Sequence, residues 1–253
     1  MIVVTGSASG IGKATREHLE ASGQQVLGID LRDAECIADL ATAEGRRAAI
    51  AAVAARCGGV VDGVVACAGV GPQVESRTLI VSLNYFGAQA ILAGLHDQLA
   101  RGKRPAAVAV SSNSAVLPTA DGALADACLD GDEAHARDLA ELLSGAQVYA
   151  ASKLALARWV RRTAHGAQWA GAGIRLNAVA PGAVQTPLLQ EGLDHPAFGP
   201  AIRNFPIPLG GFGSPAQIAA AIVFLLSEQA AFCCGSVLFV DGGTDAMLRP
   251  DSF

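Results

Sequence analysis

The stretch "VVTGSASGIG", residues 3–12, decides how the rest of the chain is read. It starts as an apolar, strand-like run and passes through Gly6, Gly10 and Gly12, in the order G-x-x-x-G-x-G. A segment with helical periodicity over 10–22 follows. Glycines at a strand-to-helix turn let the backbone approach a pyrophosphate, whose charge then meets the free N–H groups and positive end of the helix. An ordinary tight turn offers the same glycines. What favours an anion loop, with Ser9 and Ile11 between its glycines, is its place at the first strand-to-helix junction of the chain.

Working outward, strand-like runs recur at 25–30, near 37, and at 60–67, 106–111, 174–180 and 237–241. Helical patterns lie between them near 42–56, 76–101, 147–171 and 214–228. Strand and helix alternating in this way call for right-handed crossovers and a parallel sheet covered on both faces. The expected fold is therefore α/β: a single-domain, Rossmann-type, doubly wound parallel sheet of about seven strands, with ligands beyond the carboxyl ends of the strands. One domain is expected over 1–253, with two departures from the alternation. One is an acidic helical insert at 113–146, and the other is a Pro- and Gly-rich loop at 183–213. Loops of that length in a compact domain are commonly functional.

Bulk properties narrow the function. With 253 residues, 51% of them hydrophobic and 16% charged, the chain can bury one large core. A net charge of −5 leaves no basic footprint, so neither nucleic acid nor an anionic membrane is an expected partner. The uncharged runs 78–95 and 204–227 are interrupted by Asn84 and Gln89, and by Pro206, Pro208 and Pro215, and so read as buried elements rather than membrane spans. Cys36, Cys57, Cys67, Cys128, Cys233 and Cys234 show neither C-x-x-C spacing nor a nearby His pair. We expect no metal site and no disulfide framework, but buried free thiols suited to a reducing cytoplasm. The opening "MIVVTG" is strand-like and gives no sign of a cleavable leader.

The second strand ends in Asp30, followed by Leu31. A carboxylate there can accept both hydroxyls of an adenosine ribose and repels a 2′-phosphate, which points to NAD rather than NADP. The alternative is a turn Asp capping the next segment, and Arg32 is a cation that would attract a phosphate. Asp39 and Leu40, after the short third strand, are candidates for the adenine edge.

In "VYAASKLAL", residues 148–156, Tyr149 and Lys153 stand one helical turn apart and share a face. A Tyr packed under a snorkelling Lys would look the same. The surrounding motifs weigh against that reading. The glycine turn, "CAG" (67–69), "LNYFG" (83–87), "VSS" (110–112), the Tyr-x-x-x-Lys pair and "NAVAPGAVQTP" (177–187) occur in this order, and together they resemble the short-chain dehydrogenase/reductase family.

That resemblance implies a hydride-transferring enzyme using NAD(H). Tyr149 would be its general acid/base, with its phenolate favoured by the Lys153 ammonium beside a cationic nicotinamide. Lys153 would also hold the nicotinamide ribose. Ser112, rather than its neighbour Ser111, would orient the substrate oxygen. Asn84 would position a water on the proton path, although a buried Asn satisfying a helix kink is an equally physical account. Ala68 and Gly69 would pass beside the cofactor, and Pro181, Gly182, Val184 and Thr186 would clasp the nicotinamide amide for pro-S transfer.

Two features depart from the family pattern. Cys67 replaces the usual Asn beside the adenosine, and the insert widens the gap between Ser112 and Tyr149. With the insert, the stretches 28–46, 82–88, 180–190 and 241–250 resemble the bacterial hydroxysteroid dehydrogenase and carbonyl reductase members of the family. The implied substrate is a small hydrophobic alcohol or ketone, a steroid above all. Independently, Leu188, Leu189, Leu193, Phe198, Ile202, Phe205, Ile207 and Phe212 give the 183–213 loop an apolar lining. A β-keto thioester or an aromatic ketone is the alternative substrate, and a cofactor-sensing binding protein is the alternative class. We expect a homodimer built on the C-terminal region 230–253. Leu124, Leu129, Leu139, Leu142 and Leu143 of the insert form an apolar face in need of a partner surface.

Overall fold

The computed structural model describes residues 1–252. Its single sheet has seven parallel strands in the order β3-β2-β1-β4-β5-β6-β7: β1 (Ile2–Thr5), β2 (Val26–Asp30), β3 (Cys36–Ile37), β4 (Gly63–Ala66), β5 (Ala106–Val110), β6 (Arg175–Pro181) and β7 (Val237–Val240). Strand order reverses between β1 and β4, so the connections leaving these two strands diverge and open a crevice at their carboxyl ends. The glycine turn occupies that crevice and leads into α1 (Gly10–Ala21).

Helices cover both faces. On one side α1 packs on α11 (Pro215–Leu226), with Val4, Val65, Ile218, Ile222 and Leu225 buried between them and the sheet. The other side holds the larger core, which includes Ile29, Ile80, Leu92, Leu156 and Leu176. Each such side chain, fully buried, contributes roughly 1.5–3 kcal/mol. This second layer is formed by α2 (Ala43–Arg56), α3 (Arg77–Val81), α4 (Ala88–Gly94), α5 (His96–Leu99) and α8 (Gly145–Ala164), joined by the two helices of the insert, α6 (Gly122–Leu129) and α7 (Glu133–Glu141). The 183–213 loop carries α9 (Pro187–Asp194) and α10 (Gly199–Arg203), and α12 (Thr244–Leu248) closes the described chain. No helix among the described residues is long and apolar enough to cross a membrane.

Three sequence expectations are corrected. The helix expected over 76–101 is broken: Ser82–Gly87 forms a π turn between α3 and α4, and α5 stands apart beyond Leu95. The helix expected over 147–171 starts at Gly145, where Ser144 and Gln147 form a capping box, and ends at Ala164. Most of the apolar side of the insert finds its partner within the same chain, but Leu142, expected on that face, is 81% exposed because it follows the last turn of α7. Leu124, Ala125, Cys128, Ala136 and Ala140 are fully buried, α6 lies on α8 and α7 on α3, and the acidic side chains other than Glu133 face solvent. The thiols also divide more finely than expected, because Cys36, Cys57 and Cys128 are buried whereas Cys234 is exposed.

Candidate active site

The glycine turn is built by close approach. A Cβ on Gly12 would collide with the Gly6 carbonyl oxygen, and Gly6 and Gly10 have φ of 67° and 52°, which a side chain would strain. Ser9 is the N-cap of α1 but its side chain caps nothing, so the first N–H groups of the helix are left to an anion. The Thr5 hydroxyl accepts from the N–H groups of Cys67 and Ala68, both at 3.0 Å, which ties the end of β1 to the residues after β4. Gly10 faces Thr186 across the crevice, where a Cβ would lie 3.2 Å from the Thr186 methyl. Thr186 donates to the Val184 carbonyl and caps α9, so the root of the 183–213 loop is held beside the glycine turn.

Asp30 ends β2, with its carboxylate accepting from the N–H of Ala8 at 2.9 Å and of Leu31 at 2.7 Å. It therefore braces the glycine turn. Leu31 is exposed. The Leu40 side chain is in the core, so of Leu40 only the backbone can meet a base. Exposed Asp39 accepts from its near neighbour Ala41.

Lys153 and the two serines lie where α8 crosses the end of β5. The Ser111 hydroxyl donates to the Lys153 carbonyl at 2.8 Å, and Lys153 Nζ donates to the Val110 carbonyl at 2.9 Å. Ser112 accepts from the N–H of Ser114, and its hydroxyl lies near enough to Tyr149 to oppose the rise of the phenol. The two serines are thus separated by role: Ser111 braces α8, and Ser112 meets the phenol. Lys153 Nζ lies 5.9 Å from the centroid of the Tyr149 ring.

Burial sets the titration of both groups. It pushes the Lys153 ammonium down to about 8, against a small opposing effect of Cys67. It raises the Tyr149 phenol, opposed by the Ser112 hydrogen bond. In the chain by itself burial is the larger of these two influences on the phenol. Burial also pushes the Cys67 thiol up to about 12, which leaves it an inert wall of the site.

Asn84 is fully buried in the π turn, and its carboxamide is spent on one residue, accepting from the N–H of Val70 at 2.9 Å and donating to the Val70 carbonyl at 3.0 Å. Its side chain fixes the loop after β4. Gly69 is wedged between them: a Cβ there would lie 2.9 Å from Asn84 Oδ1 and 3.5 Å from Lys153 Nζ.

A cavity of about 410 Å³ runs from the glycine turn to the 183–213 loop. Gly6, Ser9, Gly10, Ile11, Gly12, Ala68, Gly69, Ser112, Tyr149, Lys153, Pro181, Gly182, Val184 and Thr186 all line it. Leu188, Leu189, Phe198, Ile202 and Phe205 supply its apolar wall, whereas Leu193, Ile207 and Phe212 lie elsewhere in the loop. Pro72, Gln73, Leu117 and Thr119 also line it and were not singled out from the sequence. Gln73 donates to the Leu188 carbonyl and to Glu191, bridging the mouth from the opposite rim. The only sequence signal for these four is their place just after the ends of β4 and β5.

Residues 2–187 match the NAD dependent epimerase/dehydratase family, and residues 136–245 match the family described as Enoyl-(Acyl carrier protein) reductase. The chain is also 48% identical to the 3-alpha-hydroxysteroid dehydrogenase/carbonyl reductase of Comamonas testosteroni, over 100% of this chain and 99% of that one. The chain belongs to the short-chain dehydrogenase/reductase family. Other members are similar to it along their whole length. The crystal structure of the 3-alpha-hydroxysteroid dehydrogenase from Pseudomonas sp. B-0831, complexed with NADH, has a TM-score of 0.97 to it at 50% identity, covering 100% of this chain and 99% of that one. The 2,5-dichloro-2,5-cyclohexadiene-1,4-diol dehydrogenase of Sphingobium indicum is 32% identical over 97% of each chain. For this short-chain dehydrogenase/reductase the crevice, the capped helix α8 and the apolar loop are one continuous site.

Proposed function

We propose that the protein is an NAD(H)-dependent oxidoreductase that interconverts a 3α-hydroxysteroid and its 3-oxosteroid and also reduces ketones and aldehydes. The observation that carries this reading is the juxtaposition of Ser112, Tyr149 and Lys153 with an apolar wall in one cavity, in a chain 48% identical over its full length to a 3-alpha-hydroxysteroid dehydrogenase/carbonyl reductase. The residues present suit the cofactor. The glycine turn admits a pyrophosphate, the N–H groups of α1 face it, and Asp30 stands at the ribose position. Bound NAD(H) supplies or accepts the hydride.

The chain's own residues hold the oxygen and move its proton. Ser112 orients the substrate oxygen and Tyr149 Oη takes the alcohol proton in oxidation or gives one in reduction. Lys153, anchored to the Val110 carbonyl, is charged below about pH 8 and favours the phenolate over the phenol in that range. The apolar wall leaves no charged partner for a phosphorylated sugar. As a unit, residues 1–253 would act as one NAD-binding domain, with 113–146 as insert and 183–213 as substrate loop.

A homodimer is part of the same reading. Phe224, Phe232, Leu238, Met247 and Leu248 expose large apolar surface around the C-terminal strand, which suits a second copy there. Six free thiols suit a reducing cytoplasm. The test is a panel of steroid alcohols with NAD⁺, followed by NADH production. Preferred turnover of 3α-hydroxysteroids supports the proposal. Inactivity on every steroid, with reduction of β-keto thioesters or aromatic ketones, overturns the substrate.

A further inference from the structure

The insert does more than cover α3 and α8. Arg46, on α2, is 7% exposed, and its guanidinium makes five hydrogen bonds. Two go to the Glu133 carboxylate at the start of α7, each at 2.6 Å. The other three go to the carbonyls of Leu40 (2.8 Å), Ala41 (3.0 Å) and Ser82 (3.2 Å). A buried guanidinium of this kind stands only if its charge is met, and Glu133 is the carboxylate that meets it. Burial works against the Glu133 charge. Arg46, the Ser82 hydroxyl and Arg137 more than offset that, and they hold the carboxyl below its ordinary value.

Both carbonyl sets matter to the site. Leu40 and Ala41 belong to the segment whose backbone is offered to the adenine. Ser82 begins the π turn, and it is gripped twice, once by Arg46 of α2 and once by Arg137 of α7. Its carbonyl takes the Arg46 bond, and its hydroxyl accepts from Arg137 at 3.1 Å. Two residues on, Asn84 clamps Val70 from both sides, and at the adjoining Gly69 an added Cβ would come within 3.5 Å of Lys153 Nζ. A π turn inside a helix is a strained local choice that needs an external hold, and such turns gather at functional sites. Hydrogen bonds and the turn itself therefore join Glu133 through Arg46 and Ser82 to Asn84 and on to Val70, whose neighbour Gly69 leaves no room for a side chain before Lys153 Nζ.

We propose that Glu133 is a positioning residue of the active site, which, by holding Arg46 and through it Ser82, sets both the backbone of residues 40–41 and the π turn that presents Asn84 to the loop after β4 beside Lys153. The proposal rests on the dehydrogenase reading only for the identity of the bound nucleotide and the catalysed reaction. Through Glu133 the insert then acts from behind the site, while its first residues, Leu117 and Thr119 among them, line the cavity. The titratable and charged groups facing Lys153 are Tyr149 on its own helix and Cys67 from the end of β4. Neither is part of the Glu133 cluster, so a change in Lys153 behaviour would have to arrive through the loop.

The test compares Glu133→Gln and Ser82→Ala with the wild type by NADH fluorescence titration, by the pH profile of kcat for alcohol oxidation, and by Tm. Glu133→Gln is expected to raise the Kd for NADH about tenfold, and to move the ionisation seen in kcat by at least about half a pH unit. Ser82→Ala removes one hydroxyl and leaves the ion pair, so it guards against a Glu133 variant that does not fold. It is expected to move the same ionisation with little loss of Tm. Variants that lose Tm while NADH affinity and pH profile coincide with the wild type overturn the proposal. Failure of the dehydrogenase reading is separable, because the wild type itself would then form no NADH from any alcohol.

Discussion

The Ser111 hydroxyl donates to the backbone carbonyl of Lys153 at 2.8 Å, which makes the first serine of the "VSS" motif a brace for the helix that carries the reactive pair. Ser112, one residue on, has its hydroxyl beside the Tyr149 phenol instead. Ser111→Ala is expected to lower stability by about 1 kcal/mol through the lost buried hydrogen bond, with modest loss of turnover. Ser112→Ala is expected to lower kcat about 10²-fold with little change in Tm. Paired measurements of Tm and kcat check the division of labour, and reversed effects would assign the substrate oxygen to Ser111.

Lys153 is an example of function opposing stability. The unfolded chain keeps this proton up to the ordinary lysine value of 10.5, and the folded chain only to about 8, because burial disfavours the charge. Between those values the unfolded state binds more protons, so this group's contribution to stability rises with pH across the window and is lost below about pH 8. The penalty at neutral pH is about 3 kcal/mol. Lys153→Met is expected to be inactive, and to compare better in Tm with the wild type at pH 7 than at pH 10. Parallel Tm-against-pH curves for the two proteins would contradict this.

Cofactor choice is expected to turn on Asp30 and on whether a cation beside the glycine turn is free for a phosphate. Arg16 is held by Glu35, with nitrogen–oxygen distances of 3.0 and 2.7 Å, and Glu35 also accepts from the N–H of Gly28, so this guanidinium is engaged rather than free for a phosphate. NAD is expected to be preferred over NADP by about 10²-fold in kcat/KM. Asp30→Ala should shrink that ratio, at some cost in stability from the brace to Ala8. Equal kcat/KM for the two cofactors in the wild type would mean that exposed Arg32 dominates.

The buried contacts of the insert carry an expectation for assembly. Leu124, Cys128, Ala136 and Ala140 cover α3 and α8, surfaces that would otherwise be free to pair with another subunit. Replacing 115–144 with a Gly/Ser linker is expected to turn a dimer into a tetramer by light scattering, with weaker NADH binding. An unchanged dimer would count against the insert as an assembly element.

Much of this site was readable because its signals are local. The glycine turn, Asp30 at the end of a strand and Tyr149 one turn from Lys153 are each fixed by a few residues of spacing, and the strands are short apolar runs with clear ends. The π turn was not readable: an apolar run with helical periodicity looks the same whether one residue in it bonds at i−4 or i−5, and here the choice is held by Arg46 and Arg137 from distant segments. Asn84 was legible as a buried polar residue but not as the clamp on Val70, which needs two loops in contact. The insert's leucines announced an apolar face, and only the fold shows that the partner is α8. Lys153 and Tyr149 were expected to help each other ionise; burial, a property of the whole fold, runs the other way.

The central claim is that Tyr149 carries the proton of the reacting alcohol. The direct measurement is kcat for NAD-dependent oxidation of a 3α-hydroxysteroid by Tyr149→Phe, with NADH affinity measured alongside. The substitution removes one hydroxyl and no packing volume. NADH binding is expected to be retained, and kcat to fall at least about 10³-fold. Retention of more than about a tenth of the wild-type kcat, within the range left when a general acid is merely dispensable, would contradict the account.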